Sequence, residues 1–266
     1  MNHLLRDLAP ITTDAWSMID DEAKSRLSVY LGARRVVDFS GPHGWTHSAT
    51  SLGRVGPVAS APFEGVIAQS RSVLPLAEVR ADFTLQRSEL ENISRGALDV
   101  DLDPVDEAAR RIASVENAAV FSGWGELGMT GILEASPHDP IVIGDEPRAF
   151  ALRVAEAVAR LKDAAVGGPY ALGVSYDEWV NVTGNSDQGG TILQKHLERI
   201  LGGPVEWIPG LETSVVVSLR GGDFIFESGQ DLSIGYASHT SRTVDLYLQE
   251  TFSFRVVTPE AAIALV

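Results

Sequence analysis

Apolar residues along this chain recur with two different periods. Between Trp16 and Leu31 they return every three or four positions, at Trp16, Ile19, Ala23, Leu27, Tyr30 and Leu31, which gathers them on one stripe of a helix. Thr13 or Asp14 is placed to cap that helix, and Gly32 lies near its end. The same period governs "DPVDEAARRIASVENAAVFSG", where Asp103 caps, Pro104 occupies the first turn, and Val105, Ala109, Ile112, Val115 and Ala119 form the stripe up to Gly123. It governs "EPRAFALRVAEAVARLKDAAVGG" through Phe150, Val154, Ala157, Leu161 and Ala165, with Gly167 and Gly168 as the stop. A shorter helix is predicted in "TILQKHLERILGG", from Ile192, His196, Leu197 and Ile200.

Elsewhere the period is two. Val79, Ala81, Phe83 and Leu85 alternate, as do Leu246 and Leu248, then Phe252, Phe254 and Val256, so both stretches predict strands. "SVVVSLRGGDFIFES" predicts a hairpin turning at Gly221–Gly222. Residues 46 to 76 follow neither period: "SLGRVGPVASAPFEGVIAQSRSVLPL" has glycine and proline throughout, yet keeps Val, Ile, Phe and Leu. That composition predicts an extended arm which cannot close a core alone and is held by binding to something. Helices followed by long strand segments without strict alternation indicate an α+β fold.

The charge balance narrows the function. With 21 Lys and Arg against 36 Asp and Glu the chain is formally −15, and its only lysines are Lys24, Lys162 and Lys195. Such a field repels polyanions, so nucleic acid is not an expected partner. There are no cysteines, which removes disulfides, thiolate metal sites and Cys nucleophiles. No apolar run spans a bilayer, so no membrane partner is expected, and a cytoplasmic location is the reading.

Candidate chemistry concentrates in "GARRVVDFSGPHGWTHSAT", which sets Arg34, Arg35, Asp38, His43 and His47 around Val36 and Val37. The cluster suits either catalysis or docking. His43 and His47 are four apart, but Pro42 and Gly44 oppose a helix there, and no further ligand is near in sequence, so no metal is expected. "GWGELG" from Gly123 matches a dinucleotide pattern but follows a helix rather than a strand, so no cofactor is expected either. No nucleophile elbow surrounds any serine. "NVTGNSDQGG" is a small-polar run between helices: an exposed loop, or a rim of Asn185, Ser186, Asp187 and Gln188 lining an opening. "GQDLSIGYASH" alternates Leu232, Ile234 and Tyr236, half a strand with a core face, or one wall of a groove for an extended peptide.

"LAPITTDAW", "LGARRVVDFSGPHG", "GQDLSIGYASH" and "ETFSFRVVTPEAAIAL", in this order, resemble encapsulin shell proteins over essentially the whole chain. The resemblance implies a phage major-capsid-like (HK97-type) fold. Its peripheral domain would be built from residues 1–49, 76–133 and 225–266, its extended loop from 50–75, and its apical domain from 134–224. It implies a self-assembling icosahedral shell, typically of about sixty copies, rather than an enzyme. It also implies cargo enzymes, a dye-decolourising peroxidase or a ferritin-like protein, captured by a C-terminal targeting peptide. On matching positions that peptide would meet Arg34, Arg35, Asp38, Leu232, Ile234 and Tyr236, and Ile234→Asp would empty the shells without preventing assembly. The loop carrying Asn185 to Gln188 would sit at the fivefold opening. With no lysine in the arm, closure is expected to be non-covalent. A hydrolase or bacteriocin-like enzyme and a nucleic-acid-packaging capsid are the alternatives.

Overall fold

The computed structural model describes residues 3–59, 61–144, 147–186 and 192–266, with the backbone alone for Pro147 and Arg148. The first helix, α1 (Thr13–Tyr30), buries Ala15, Ile19, Ala23 and Leu27; its cap is Thr12, whose hydroxyl accepts from the Ala15 amide, one residue before the expected position. A short turn at Ala33–Arg35 leads to β1 (Asp38–Ser40). The arm follows as β2 (Ala49–Pro57) and β3 (Gln69–Pro75), an antiparallel pair that forms a sheet of its own. Next come β4 (Ala77–Gln86), α2 (Arg87–Ser94) and α3 (Asp103–Phe121). β4 alternates buried and exposed along its whole length, as its period predicts. In α3 Val105, Ala109, Ile112 and Ala119 are buried, while Val115 sits at the solvent border and the cap position falls to Leu102. Gly123, at φ 87°, then turns the chain out of α3 through a 3-10 turn into α4 (Ile132–Ala135), so "GWGELG" is an exit from a helix and not a phosphate cradle.

The second half holds α5 (Pro147–Asp163), β5 (Tyr170–Val174), α6 (Tyr176–Gly184), α7 (Leu193–Leu201), β6 (Val205–Trp207) and β7 (Ser214–Ser218). These are followed by β8 (Phe224–Ser228), β9 (Ser233–His239), β10 (Thr243–Val256) and β11 (Ala262–Leu265). Three expectations change here. Ala165 lies beyond α5 in the left-handed region. The buried stripe of α7 is Leu193, Leu197 and Leu201, with Ile192 exposed at its cap. Asn181–Gly184 are the last turn of α6, not loop.

Two larger sheets organise these elements. The first runs β1-β8-β10-β4, with β9 paired to the other end of β10 beside β8. Leu246 lies opposite Phe83 and Tyr236, Leu248 opposite Ala81 and Ile234, and Phe254 opposite Phe226, so one face carries a continuous apolar row. Helix α3 packs on that face over β4 and β10, and α1 packs on α3. The second sheet runs β11-β7-β5-β6, covered by α5 and α7. Its β5 and β7 are buried at every residue, as expected of strands covered on both faces.

The predicted hairpin at Gly221–Gly222 does not form. Both glycines turn at positive φ (86° and 83°), but β7 pairs with β5 and β11 while β8 joins the other sheet. The strand before the turn is apolar on both faces and the strand after it alternates, so each fits a different layer. The C-terminus crosses back as well: β11, expected with the peripheral segment 225–266, pairs antiparallel with β7 in the second sheet.

Candidate functional site

Arg34 is the centre of the charged cluster. The turn at Ala33–Arg35 points its guanidinium between α3, β10 and the segment leading into β9. Its Nε donates to both oxygens of Glu116 (3.0 and 2.8 Å), its Nη1 to Asp231 (2.7 Å), and its Nη2 to Glu250 (2.9 Å). Nη2 also stands 2.7 Å from Glu116 Oε2. The guanidinium carbon lies 5.0 Å from the Phe39 ring centroid and 5.2 Å from that of Phe226, which itself stacks on Phe252. The Arg34 side chain is only 16% exposed, and Glu116 and Glu250 are buried; Asp231, at 43%, faces water. Burial works against the Arg34 charge, but Glu116, Glu250 and Asp231 outweigh it and hold the group firmly protonated. The same burial raises the Glu116 carboxyl against the pull of Arg34. It raises Glu250 well above the ordinary carboxylate range, with the Glu116 charge adding to the effect.

The neighbouring residues of the motif have separate tasks. Arg35 reaches Glu206 (2.7 Å) and donates to the carbonyls of Ser28 and Val29, which α1 leaves unpaired at its C-terminal end. The Asp38 carboxylate accepts from the Gly222 amide and so fixes the crossover between the two sheets. His43 faces Ser40 (3.1 Å), and His47 pairs with Glu227 (2.7 Å). The histidine rings are 4.9 Å apart, but among the described residues no group of three metal-binding side chains forms here or elsewhere.

Leu232, just before β9, and Ile234 and Tyr236 within it diverge. Ile234 is 4% exposed and packs opposite Leu248, inside the core. Leu232 and Tyr236 are partly buried, and the Leu232 amide donates to the half-exposed Asp231 beside it. The Tyr236 amide donates to the Leu4 carbonyl, so the N-terminal segment lies along the outer edge of β9. Arg34 thus links Asp231, which adjoins the partly buried Leu232, to the exposed Phe39, so the charged cluster borders partly covered apolar residues. Substituting Ile234→Asp would place a charge in the core, which makes that position unsuitable as a test of the surface.

Sequence reasoning did not find Glu116, Glu250 or Asp231. A signal for two of them was present. Glu250 occupies the apolar phase of β10 between Leu248 and Phe252, and Glu116 lies among the buried positions of α3 beside Ile112 and Val120. A glutamate on the apolar side of an element needs a buried partner, and Arg34 is that partner.

The small-polar run is only partly described. Asn185 and Ser186 are exposed, and the Asn185 side chain donates to the Asn181 carbonyl at the end of α6. Asp187 and Gln188 lie outside the described residues. Among the described residues no helix is long and apolar enough to cross a membrane.

Comparison with known proteins places the chain among relatives. A family model described as an encapsulating protein for peroxidase matches residues 1–253. The type 1 encapsulin shell protein of Rhodospirillum rubrum is 45% identical over 270 residues, covering 100% of this chain and 96% of that protein. Those of Mycolicibacterium paratuberculosis and Mycobacterium tuberculosis are each 42% identical over 265 residues, covering 100% of this chain and 99% of theirs. Among solved structures, a virus-like particle from Pyrococcus furiosus superposes with a TM-score of 0.65 at 14% identity, covering 96% of this chain and 100% of its own. The capsid of an empty GTA particle gives 0.55 at 16% identity, covering 88% and 89%. At these identities the structural matches speak to the fold alone, and that fold is the phage-capsid one expected from the sequence.

Proposed function

This chain belongs to the encapsulin shell-protein family, and from that premise we propose that it closes into an icosahedral shell holding enzymes captured by a short C-terminal targeting peptide. The chain is a structural shell protein of a capsid-like nanocompartment, like the relatives named for that role, and not a catalyst.

The observation that supports closure most directly is the arm. Among the described residues β2 and β3 pair only with each other, and a lone two-stranded hairpin is at best marginal in water. Val55, Val58, Phe63, Val66, Ile67 and Val73 stand exposed along it, Phe63 at 78% and Ile67 at 92%. A second copy of the chain is the occupant that covers this surface in every subunit at once, and a rotation that closes yields a finite shell, which the family resemblance sets at about sixty copies. Electron microscopy and size exclusion of the purified chain test it: closed particles are expected, and a monodisperse monomer under assembly conditions would refute it.

For cargo, the surface around Arg34, Arg35 and Asp38, with Leu232 and Tyr236, is the proposed peptide groove, with Ile234 supporting it from beneath. Apolar peptide side chains would lose water against Leu232 and Tyr236, at about 25 cal/mol per Å² of apolar area. Each contact is weak once the ordering of a flexible tail is counted, and a multimeric cargo gains from several contacts together. A peroxidase is the first cargo to try, because the matching family model is described by one, and a ferritin-like protein is the second. Co-expression with a peroxidase carrying its own C-terminal tail should give shells that co-sediment with it. Removing the tail, or introducing Leu232→Asp, should empty them with assembly intact; unchanged loading in both cases would disprove the groove. We also propose that the exposed Asn185 and Ser186 lie at a fivefold opening as part of its polar rim.

A further inference from the structure

The Arg34 cluster holds more carboxyl groups than its charge can balance. One guanidinium faces Glu116 from α3, Glu250 from β10 and Asp231 from the segment before β9, while β4 presents only apolar Val79 opposite Glu250. Asp231 is half in water. Glu116 and Glu250 are fully buried, and two buried carboxylates in contact cannot both stay ionised beside a single cation. The geometry separates their roles. Glu116 receives Arg34 on both oxygens, through Nε and Nη2. Glu250 receives it on Oε2 alone, and its Oε1 is buried without a donor among the described residues. The two carboxyl groups meet at one nitrogen, Arg34 Nη2, which stands 2.7 Å from Glu116 Oε2 and 2.9 Å from Glu250 Oε2, so one proton between them relieves the repulsion of two buried charges side by side.

We infer that Glu116 and Glu250 share a single proton in the folded chain, carried by Glu250, and that this neutral-acid and carboxylate pair positions Arg34 and makes the subunit lose stability as the pH rises. The inference concerns the folded subunit and stands whether or not the groove takes cargo. The sign follows from linkage. In the unfolded chain both glutamates ionise in the ordinary carboxylate range; in the folded chain Glu250 keeps its proton above it. Between those two limits the folded state binds more protons, so the stability this group contributes is complete below the ordinary glutamate range and is lost as pH rises towards the pair's own range. The glutamine variant donates permanently where the acid donates by keeping a proton.

The test compares the full-length wild type with Glu250→Gln by equilibrium denaturant unfolding over a pH series from acid to mildly alkaline. The ratio of their folding constants, variant over wild type, is expected to climb by up to about tenfold per pH unit above the ordinary glutamate range and then level off. A ratio flat across the series would overturn the inference. If the variant does not fold, the infrared spectrum of the wild type decides. A carboxylic-acid C=O band present at neutral pH in the folded protein and gone after unfolding supports the shared proton, and its absence from the folded protein refutes it.

Discussion

Arg34 and Arg35 are adjacent and of one type, and their surroundings make them unequal. Arg34 compensates two buried carboxyl groups, so Arg34→Ala strands them without their cation and is expected to cost about 3–5 kcal/mol near neutral pH. Arg35 forms a surface ion pair with Glu206 and caps the end of α1, contacts worth about 1 kcal/mol together in such settings. Denaturant unfolding of the two alanine variants should separate them clearly, and equal losses would contradict the picture of Arg34 as the buried member. The motif containing both residues was legible in the sequence as a place where charge meets apolar chain. Which arginine is buried was not, because the carboxyl groups that decide it lie about 82 and 216 positions away and reach Arg34 only after α3 and β10 have packed.

At the level of elements, periodicity identified α1, α3, α5, β4 and β10, missed α2, α6 and β5, and left the strand partners open. α1, α3 and β4 follow from spacing because each has one buried face, and a one-faced element leaves its period in the sequence. The capping of α1 is local enough to test singly: Thr12→Ala removes the acceptor for the Ala15 amide and is expected to cost about 1 kcal/mol. Gly235 is a different case. A Cβ added there would clash with the Tyr247 ring, which Arg80 already covers at 3.8 Å. Gly235→Ala is therefore expected to displace Tyr247 and destabilise the β9–β10 pair, read as a lower unfolding midpoint; a midpoint equal to wild type would show that the ring yields freely. The failed hairpin at Gly221–Gly222 shows the limit of local pattern. Two glycines specify a turn, but whether the strands on either side pair with each other depends on which other strands compete for their edges.

For the whole molecule the decisive feature is what the subunit leaves uncovered. Replacing Phe63 and Ile67 together with aspartate removes exposed apolar area from the arm without touching the core. That double variant is expected to fold but to elute as small species without closed particles, and intact shells would show that the arm does not drive assembly. The formal charge of −15 predicts in addition that purified particles carry no nucleic-acid absorbance.

By itself the sequence determined the element periods, the α+β class, the extended arm, the absence of cysteine chemistry, and, through four ordered motifs, the family. These are properties of spacing, composition and resemblance, readable without knowing what touches what. Only the tertiary structure decided that the C-terminal strand returns to the second sheet, that Ile234 belongs to the core, and that Arg34 sits among Glu116, Glu250 and Asp231. Each of those depends on contacts between residues far apart in the chain, and the free energy of a buried charge or a paired strand edge is set by its neighbours in space rather than by its neighbours in sequence.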